Sequence, residues 1–209
     1  KRGVDWSGAW CLVITSQLSS KLRAKLRKDL LWLGFGAFGS DVLAHPDPDR
    51  ILLAEHMRTL NLTDRVLMFD GQLNNGQHDL RLQELAAAAW NLNDLENRYS
   101  AYLQQFQPLL RATSQSAIVS PEEAFYIRTL LIHEYRKIVL RDPALPPLLL
   151  PEQWPGHSAY QVTQELYRKL AEPSEAFVSD TFECNSGTLP AANTEFSKRV
   201  GGLGLRLAV

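Results

Sequence analysis

The chain has 209 residues, 45% of them hydrophobic, and a formal net charge of -1, enough to bury one large core or two smaller ones. The near-neutral balance excludes a chain that grips nucleic acid over its whole surface, because neutralising phosphates takes a basic face; the apolar content excludes intrinsic disorder. Cys11 and Cys184 lie far apart and form neither a disulfide framework nor a CxxC metal site, so a reducing, cytoplasmic setting is expected. No apolar run approaches the ~20 residues that span a bilayer, and no membrane association is expected.

Taken in chain order, Trp10 to Thr15 (WCLVIT) is a short β-rich run that predicts a buried strand. Ser16 to Leu33 predicts a helix, with Leu18, Leu22, Leu26, Leu30 and Leu33 on one stripe. Gly34, Gly36 and Gly39 end it in a turn-rich passage. Val42 to Ala44 predicts a second strand, closed by His45-Pro46-Asp47-Pro48. Asp49 is placed to cap a helix that carries Ile51, Leu52, Leu53, Met57 and Leu60, and Arg65 to Phe69 predicts a further strand. This order predicts a small α/β sandwich with helices on one face of the sheet.

Beyond Asp79 the pattern is helical. Leu80 to Leu110 predicts one long helix. Ser120-Pro121-Glu122-Glu123 is a capping box with Pro at the first helical position, opening a helix to about Arg141. A last helix is expected over about Ser158 to Leu170, with the tail thinning after Pro173. The Asn74–Asp79 turn marks the expected boundary between a domain over 1–76 and one over 77–209. The chain begins Lys1-Arg2-Gly3 without an initiator Met, which makes an upstream module an expectation.

Several motifs carry less chemistry than their letters suggest. Gly34-Phe35-Gly36-Ala37-Phe38-Gly39 matches G-x-G-x-x-G, but a dinucleotide loop follows a strand and opens a helix, whereas this one follows a helix and leads to a strand. The basic residues Lys21, Arg23, Lys25, Arg27 and Lys28 fit a solvated helix face better than a DNA-contacting one. His45, Asp47 and Asp49 are spaced by prolines, which splay side chains rather than converge them on a metal. No metal and no cofactor is expected.

The stretch from Leu131 to Ala159 is the most informative. It joins an apolar helix carrying His133, Tyr135, Arg136, Lys137 and Arg141 to a proline-rich crossing that ends Trp154-Pro155-Gly156-His157. Guanidinium and ammonium groups bind phosphates as fork and point charge respectively. Spacing alone leaves two readings open: an anion-binding corner, or a packed joint with surface pairs such as Glu134 with Lys137.

The chain resembles the PaaX family of phenylacetic-acid catabolon repressors over essentially its whole length. The resemblance rests on Trp6-x-Gly8-x-Trp10, Leu33-Gly34-Phe35-Gly36-Ala37, Ser120-Pro121-Glu122-x-Ala124-Phe125 and Leu131-Ile132-His133-x-Tyr135-Arg136. It continues through Val139-Leu140-x-Asp142-Pro143-x-Leu145-Pro146, Leu149-Leu150-Pro151-x-x-Trp154-x-Gly156-His157 and Gly201-Gly202-Leu203. It implies an α+β chain: a ferredoxin-like central domain similar to the small CRISPR-associated nuclease, then a mainly α-helical C-terminal domain. The family's N-terminal winged helix, which binds operator DNA, is absent from this chain.

The resemblance further implies a homodimeric transcriptional repressor of phenylacetate catabolism, released from DNA by phenylacetyl-CoA. No family rule assigns the pocket. From residue chemistry, Arg136, Lys137 and Arg141 are expected at the phosphates, and Tyr135, His133, Trp154 and His157 along the rest of the ligand. Nuclease activity is not expected, since the first strand ends Ile14-Thr15-Ser16 where that fold's nucleases place a metal-binding Asp, and Asp5 precedes it. A dimerisation scaffold without ligand is the alternative; an enzyme acting on CoA thioesters is a remote one.

Overall fold

The computed structural model describes residues 6–72, 80–114, 119–184 and 187–188. The expected boundary at Asn74–Asp79, together with Asp5, His78 and Gly201-Gly202-Leu203, lies outside the described residues. The chain folds as two compact units. One comprises residues 1–95 with 142–154, and the other residues 96–141 with 155–209.

The first unit is built from β1 (Ala9–Ile14), α1 (Ser20–Trp32), β2 (Gly36–Ala37), β3 (Val42–His45), α2 (Arg50–Thr59), β4 (Leu67–Gln72) and α3 (Leu80–Ala89). The four strands form one sheet in the order β2-β3-β1-β4, with every neighbouring pair antiparallel. Cys11, Val13 and Leu43 point to one face, where they pack with Leu18, Leu26, Leu30, Leu53 and Met57 of the α1 and α2 region. Trp10, Leu12 and Ala44 point to the other, against Leu82 and Ala86 of α3 and Leu145 and Leu149 of the proline-rich segment.

Helices on a single face were expected; the sheet is instead covered on both. The physical reason is visible in β1, which is apolar at every consecutive position rather than alternating, the pattern of a strand buried on two sides. Ile51 and Leu52, expected on the buried stripe of α2, are exposed, Ile51 to 76%, and only Leu53 and Met57 of that helix are buried. They occupy the first turn, rotated away from the sheet-facing stripe.

The two helices on the first face of this sheet, α1 and α2, end in the same way. After α1, Gly34 adopts φ +86, its N–H donates to the Leu31 carbonyl at 3.1 Å, and the Phe35 N–H donates to the Leu30 carbonyl at 3.0 Å. This pair of bonds is a Schellman closure, and buried Phe35 and Leu30 supply its apolar contact. After α2, Asn61 at φ 53 and buried Leu62, which donates to the Met57 carbonyl, repeat it. Asp49 caps α2 by accepting from the N–H groups of Ile51 and Leu52, both at 3.0 Å.

The helix expected over Leu80 to Leu110 is broken. α3 stops at Ala89, Asn91 takes φ 48, and α4 (Leu92–Ser114) begins. Asn tolerates the left-handed region better than most residues, and Trp90 just before it is held by its ring. That indole donates to the Gly34 carbonyl at 2.8 Å and lies over Gly36. A methyl group on Gly36 would sit 2.6 Å from the Trp90 ring. The glycines of the G-x-G-x-x-G run therefore close a helix and clear space for an indole.

The second unit contains most of α4, then α5 (Pro121–Val139), α6 (Gly156–Thr181) and the short β5 (Glu183–Cys184) and β6 (Gly187–Thr188) hairpin. Its buried side chains include Tyr99, Tyr102 and Phe106 from α4, Ala124, Leu131, Tyr135 and Ile138 from α5, and Ala159, Val162, Leu166 and Leu170 from α6. Inside this core Thr163 donates to the Ala159 carbonyl at 2.6 Å, so its single proton is used. Tyr102 is then the donor in the 2.6 Å bond between its hydroxyl and Thr163. Burial pushes the Tyr102 phenol upward, so it stays protonated as that role requires.

α6 runs eleven residues past the expected stop at Leu170, with Pro173 inside it. A proline removes one helical hydrogen bond, yet buried Leu170 and Ser174 on either side keep the helix packed against the unit's core. No described helix is long and apolar enough to cross a membrane.

Candidate ligand-binding groove

Ser120 opens α5 with the expected capping box. Its hydroxyl accepts from the Glu123 N–H at 3.2 Å, and the Glu123 carboxylate accepts from the Ser120 N–H at 3.0 Å. The Ser120 N–H, together with the Ser120 hydroxyl at 2.9 Å, donates to the Glu123 carboxylate and holds its carboxyl below its ordinary range. With the start of the helix set, its faces follow from 3.6 residues per turn. Ala124, Leu131, Tyr135 and Ile138 are buried. Phe125, Arg128, Ile132, Arg136 and Leu140 fall on a second stripe, and that stripe lines a groove of about 630 Å3 shared with Tyr167, Ser174 and Val178 of α6.

The groove brings together three of the seven expected ligand residues: His133, Arg136 and Lys137. Tyr135 is buried on the opposite side, its ring 5.6 Å from that of Tyr102. One residue step along a helix turns the side chain by about 100°, which separates Tyr135 from Arg136. Arg141 is exposed beyond the end of α5 and does not line the groove. His157 is exposed near the start of α6, where its ring nitrogen meets Gln161 at 2.9 Å. Trp154 belongs to the first unit and packs into the cluster around Trp10 and Leu149.

Electrostatically the groove combines cations with an apolar lining of Phe125, Ile132, Leu140, Tyr167 and Val178. Arg128, only 13% exposed, bonds to the Glu175 carboxylate at 2.7 Å and to the Ala171 carbonyl at 3.3 Å. Its guanidinium carbon lies 4.9 Å from the centre of the Tyr167 ring, a cation–π distance. Lys137 pairs with Glu134 at 2.8 Å, the surface pairing the sequence left open. Arg136 is exposed and makes no ion pair with a described residue. Both cations sit in the last turn of α5, where positive charge also offsets the helix dipole.

Phe125 and Arg128 were missed in the sequence, as was Tyr167. The signal was present for the first two: stepping back from His133 and Arg136 by three and four residues passes Ile132, Thr129, Arg128 and Phe125. Tyr167 had no such signal, because only the packing of α6 on α5 brings it to the same groove.

At the motifs set aside in the sequence, side chains are spent on structure. His45 accepts the Asp47 N–H on Nδ1 at 2.9 Å, and its ring packs 5.2 Å from Phe35. Burial holds its pKa down at about 4. On α1, Arg23 pairs with Asp41 at 2.6 Å and Arg27 donates to the Gly39 carbonyl at 2.9 Å, so two of the five basic residues tie the helix to the β2–β3 hairpin.

Residues 3–83 match the PaaX protein central Cas2-like domain, and residues 90–180 match the PaaX-like protein C-terminal domain. The chain is 34% identical over 201 residues to the transcriptional repressor PaaX of Escherichia coli (strain K12), covering 96% of this chain. It spans 64% of that relative's length. An uncharacterized protein of Mycobacterium tuberculosis shares the fold, with a TM-score of 0.54 at 22% identity over 84% of this chain and 65% of the other. Two consecutive domain matches in this order, with that identity across nearly every residue, place the chain in the PaaX family.

Proposed function

We propose that this chain is the central and C-terminal part of a transcriptional repressor of phenylacetate catabolism. The observation that carries this reading is the 34% identity to a transcriptional repressor over 96% of the chain. The β-α-β-β-α-β order of the first unit supports reading it as a ferredoxin-like domain, reused for structure or dimerisation. Operator DNA is the partner of the whole repressor, read by a winged helix outside this chain, and the working form is a homodimer.

The effector in this proposal is an acyl-CoA, phenylacetyl-CoA, and the α5–α6 groove is its site. A CoA thioester joins phosphates to an apolar acyl group, so it needs cations beside an apolar floor. Arg136 and Lys137 with Phe125, Tyr167 and Val178 supply both. Effector binding need only favour one arrangement of the repressor: a 100-fold loss of DNA affinity corresponds to about 2.7 kcal/mol of coupling.

Neither enzyme reading gains support from the residues. At the end of β1, Thr15 is buried and its hydroxyl donates to the Asp41 carbonyl at 3.2 Å, where a nuclease of this fold would carry an Asp. Glu134, which does not line the groove, is engaged by Lys137 at 2.8 Å. Calorimetric titration with phenylacetyl-CoA tests the proposal. Saturable binding that weakens in Arg136→Ala/Lys137→Ala is the expected result. Absence of binding, or full affinity in that variant, would remove the groove from the mechanism.

A further inference from the structure

The five basic residues of α1 divide into two sets. Arg23 and Arg27 are half-buried and turned to the β2–β3 hairpin, where they meet Asp41 and the Gly39 carbonyl. Lys21, Lys25 and Lys28 are exposed, and at about 100° per residue they fall within about 60° of one another and of Trp32. Trp32 is 79% exposed, with Leu31 beside it at 45%. None of the exposed residues of α1 is acidic; Asp29 is turned to His56 of α2, 3.2 Å away. The stripe from Lys21 to Trp32 is about 16.5 Å long at 1.5 Å per residue. It does nothing for the helix that carries it. Lys21 lies in the first turn, where the helix dipole favours an acid, and no basic residue lies in the last turn, where it favours a base. Lys25 stands four residues from Lys21 and three from Lys28, the spacings at which like charges repel on a helix surface.

Resting on the reading of the chain as part of a DNA-binding repressor, we infer that this face of α1 is a DNA contact outside the winged helix, which holds the phosphate backbone of a duplex without reading its sequence. Lys21, Lys25 and Lys28 meet the phosphates, and Trp32 lies against the sugars at the end of the row. Over the span of about 10.5 Å from Lys21 to Lys28 a duplex carries about six phosphate charges, one per ~1.7 Å. Lysine suits such a contact, being a compact point charge on a flexible stem, and phosphate contacts position a protein without specifying bases. The ties of Arg23 and Arg27 to the hairpin keep the stripe facing outward. A membrane surface fits this face less well, because it needs a broad apolar face, and Leu22, Leu26 and Leu30 of α1 are turned into the core beneath the sheet.

The test measures binding of the 209-residue chain to short labelled duplexes of two unrelated sequences by fluorescence anisotropy. Both duplexes should bind equally, and affinity should fall about 40-fold between about 50 and about 200 mM salt, the slope of about -2.7 given by three lysine–phosphate contacts. Lys21→Gln/Lys25→Gln/Lys28→Gln, which keeps good helix formers at exposed positions, should lose about tenfold or more at the lower salt and flatten that slope. Arg65→Gln/Arg111→Gln/Arg168→Gln removes the same charge from exposed positions elsewhere and should bind as the native chain does. Of the five tryptophans Trp32 is the most exposed, so acrylamide quenching reports on it. Duplex should shield that emission in the native chain and leave quenching unchanged in Trp32→Phe.

Absence of duplex binding by the native chain at the lower salt would overturn the inference, as would full affinity in the lysine variant. Equal losses in the lysine and arginine variants would also overturn it, by showing an effect of net charge alone. Vesicles of phosphatidylserine and phosphatidylcholine, or polyglutamate, binding as tightly as the duplex at the same salt would assign the stripe to a membrane or an acidic protein instead, and the inference falls. The titration with phenylacetyl-CoA stays separate. A chain that binds the effector and no duplex loses this inference and keeps the groove, whereas a chain that binds duplex through α1 and no effector does the reverse.

Discussion

Each unit of this chain gathers aromatic rings, and the two gatherings are built for different ends. In the first unit Trp6, Trp10, Phe38 and Trp90 pack edge to face and tilted, at centre distances from 5.2 to 6.3 Å. Two of their indole N–H groups reach backbone carbonyls: Trp6 to Ala9 at 2.9 Å and Trp90 to Gly34 at 2.8 Å. That cluster seals in Trp10, 5% exposed, whose own indole N–H has no hydrogen-bond partner among the described residues, and Gly36 is pared away to admit the Trp90 ring. In the second unit Phe125, Tyr126, Phe177 and Phe182 lie at comparable spacing, with Phe125 and Phe177 half-buried and Tyr126 and Phe182 left open. The same residue chemistry thus builds a core where rings meet backbone, and an available surface where they meet water beside cations.

The contrast is broken or sharpened by substitution, beginning with the sealed cluster. Trp90→Ala should cost about 3–5 kcal/mol, as large-to-small changes at packed aromatic sites do, read as a lower urea midpoint. A loss as small as that of an exposed residue would mean the cluster is not sealed.

His45, beside Phe35 under the same hairpin, should add acid sensitivity. Its pKa is about 4 in the fold against an ordinary 6.5, because burial disfavours the charged ring. The unfolded chain therefore binds the extra proton between those values. The stabilisation is full above pH 6.5 and lost as pH falls toward 4, on the order of 3 kcal/mol at most. Urea midpoints at pH 7.5 and 4.5 should converge in His45→Gln relative to the native chain; identical acid sensitivity in the two proteins would refute this.

Gly36→Ala comes next, at about 1–3 kcal/mol, since the new methyl presses on Trp90. Tyr102→Phe removes one buried hydroxyl donor from the second unit and should cost about 1 kcal/mol in thermal unfolding. Tyr126→Ala closes the series. Being largely exposed, it should shift stability by no more than about 0.5 kcal/mol; a loss matching Trp90→Ala would show that the open cluster is structural after all.

How much was legible in the sequence differed from element to element. The Ser120 box, the Asp49 cap and the leucines of α1 were readable because each depends on neighbours within four residues, where helical geometry leaves little choice. β4 begins two residues and ends three residues later than expected, at Leu67–Gln72 rather than Arg65–Phe69, because strand ends depend on the register with β1. The break at Asn91 was missed, since the apolar pattern on either side continues in phase. At the candidate site the cationic end was readable and the groove was not. Tyr135, Arg136 and Arg141 look alike as a cluster of letters, and rotation around α5 is what separates them.

By itself the sequence determined the element types, the family, and the presence of cations near the end of a long apolar helix. These follow from local periodicity, caps and extended motifs. Only the tertiary structure decided that the G-x-G-x-x-G run serves Trp90, that Trp154 packs with the first unit, and that Phe125, Arg128 and Tyr167 share a groove with Arg136. The physical reason is one of range. Helix starts and stripes are set by hydrogen bonds and side chains a few residues apart, whereas a groove exists only where two helices distant in sequence bury one face against each other and leave the next face open.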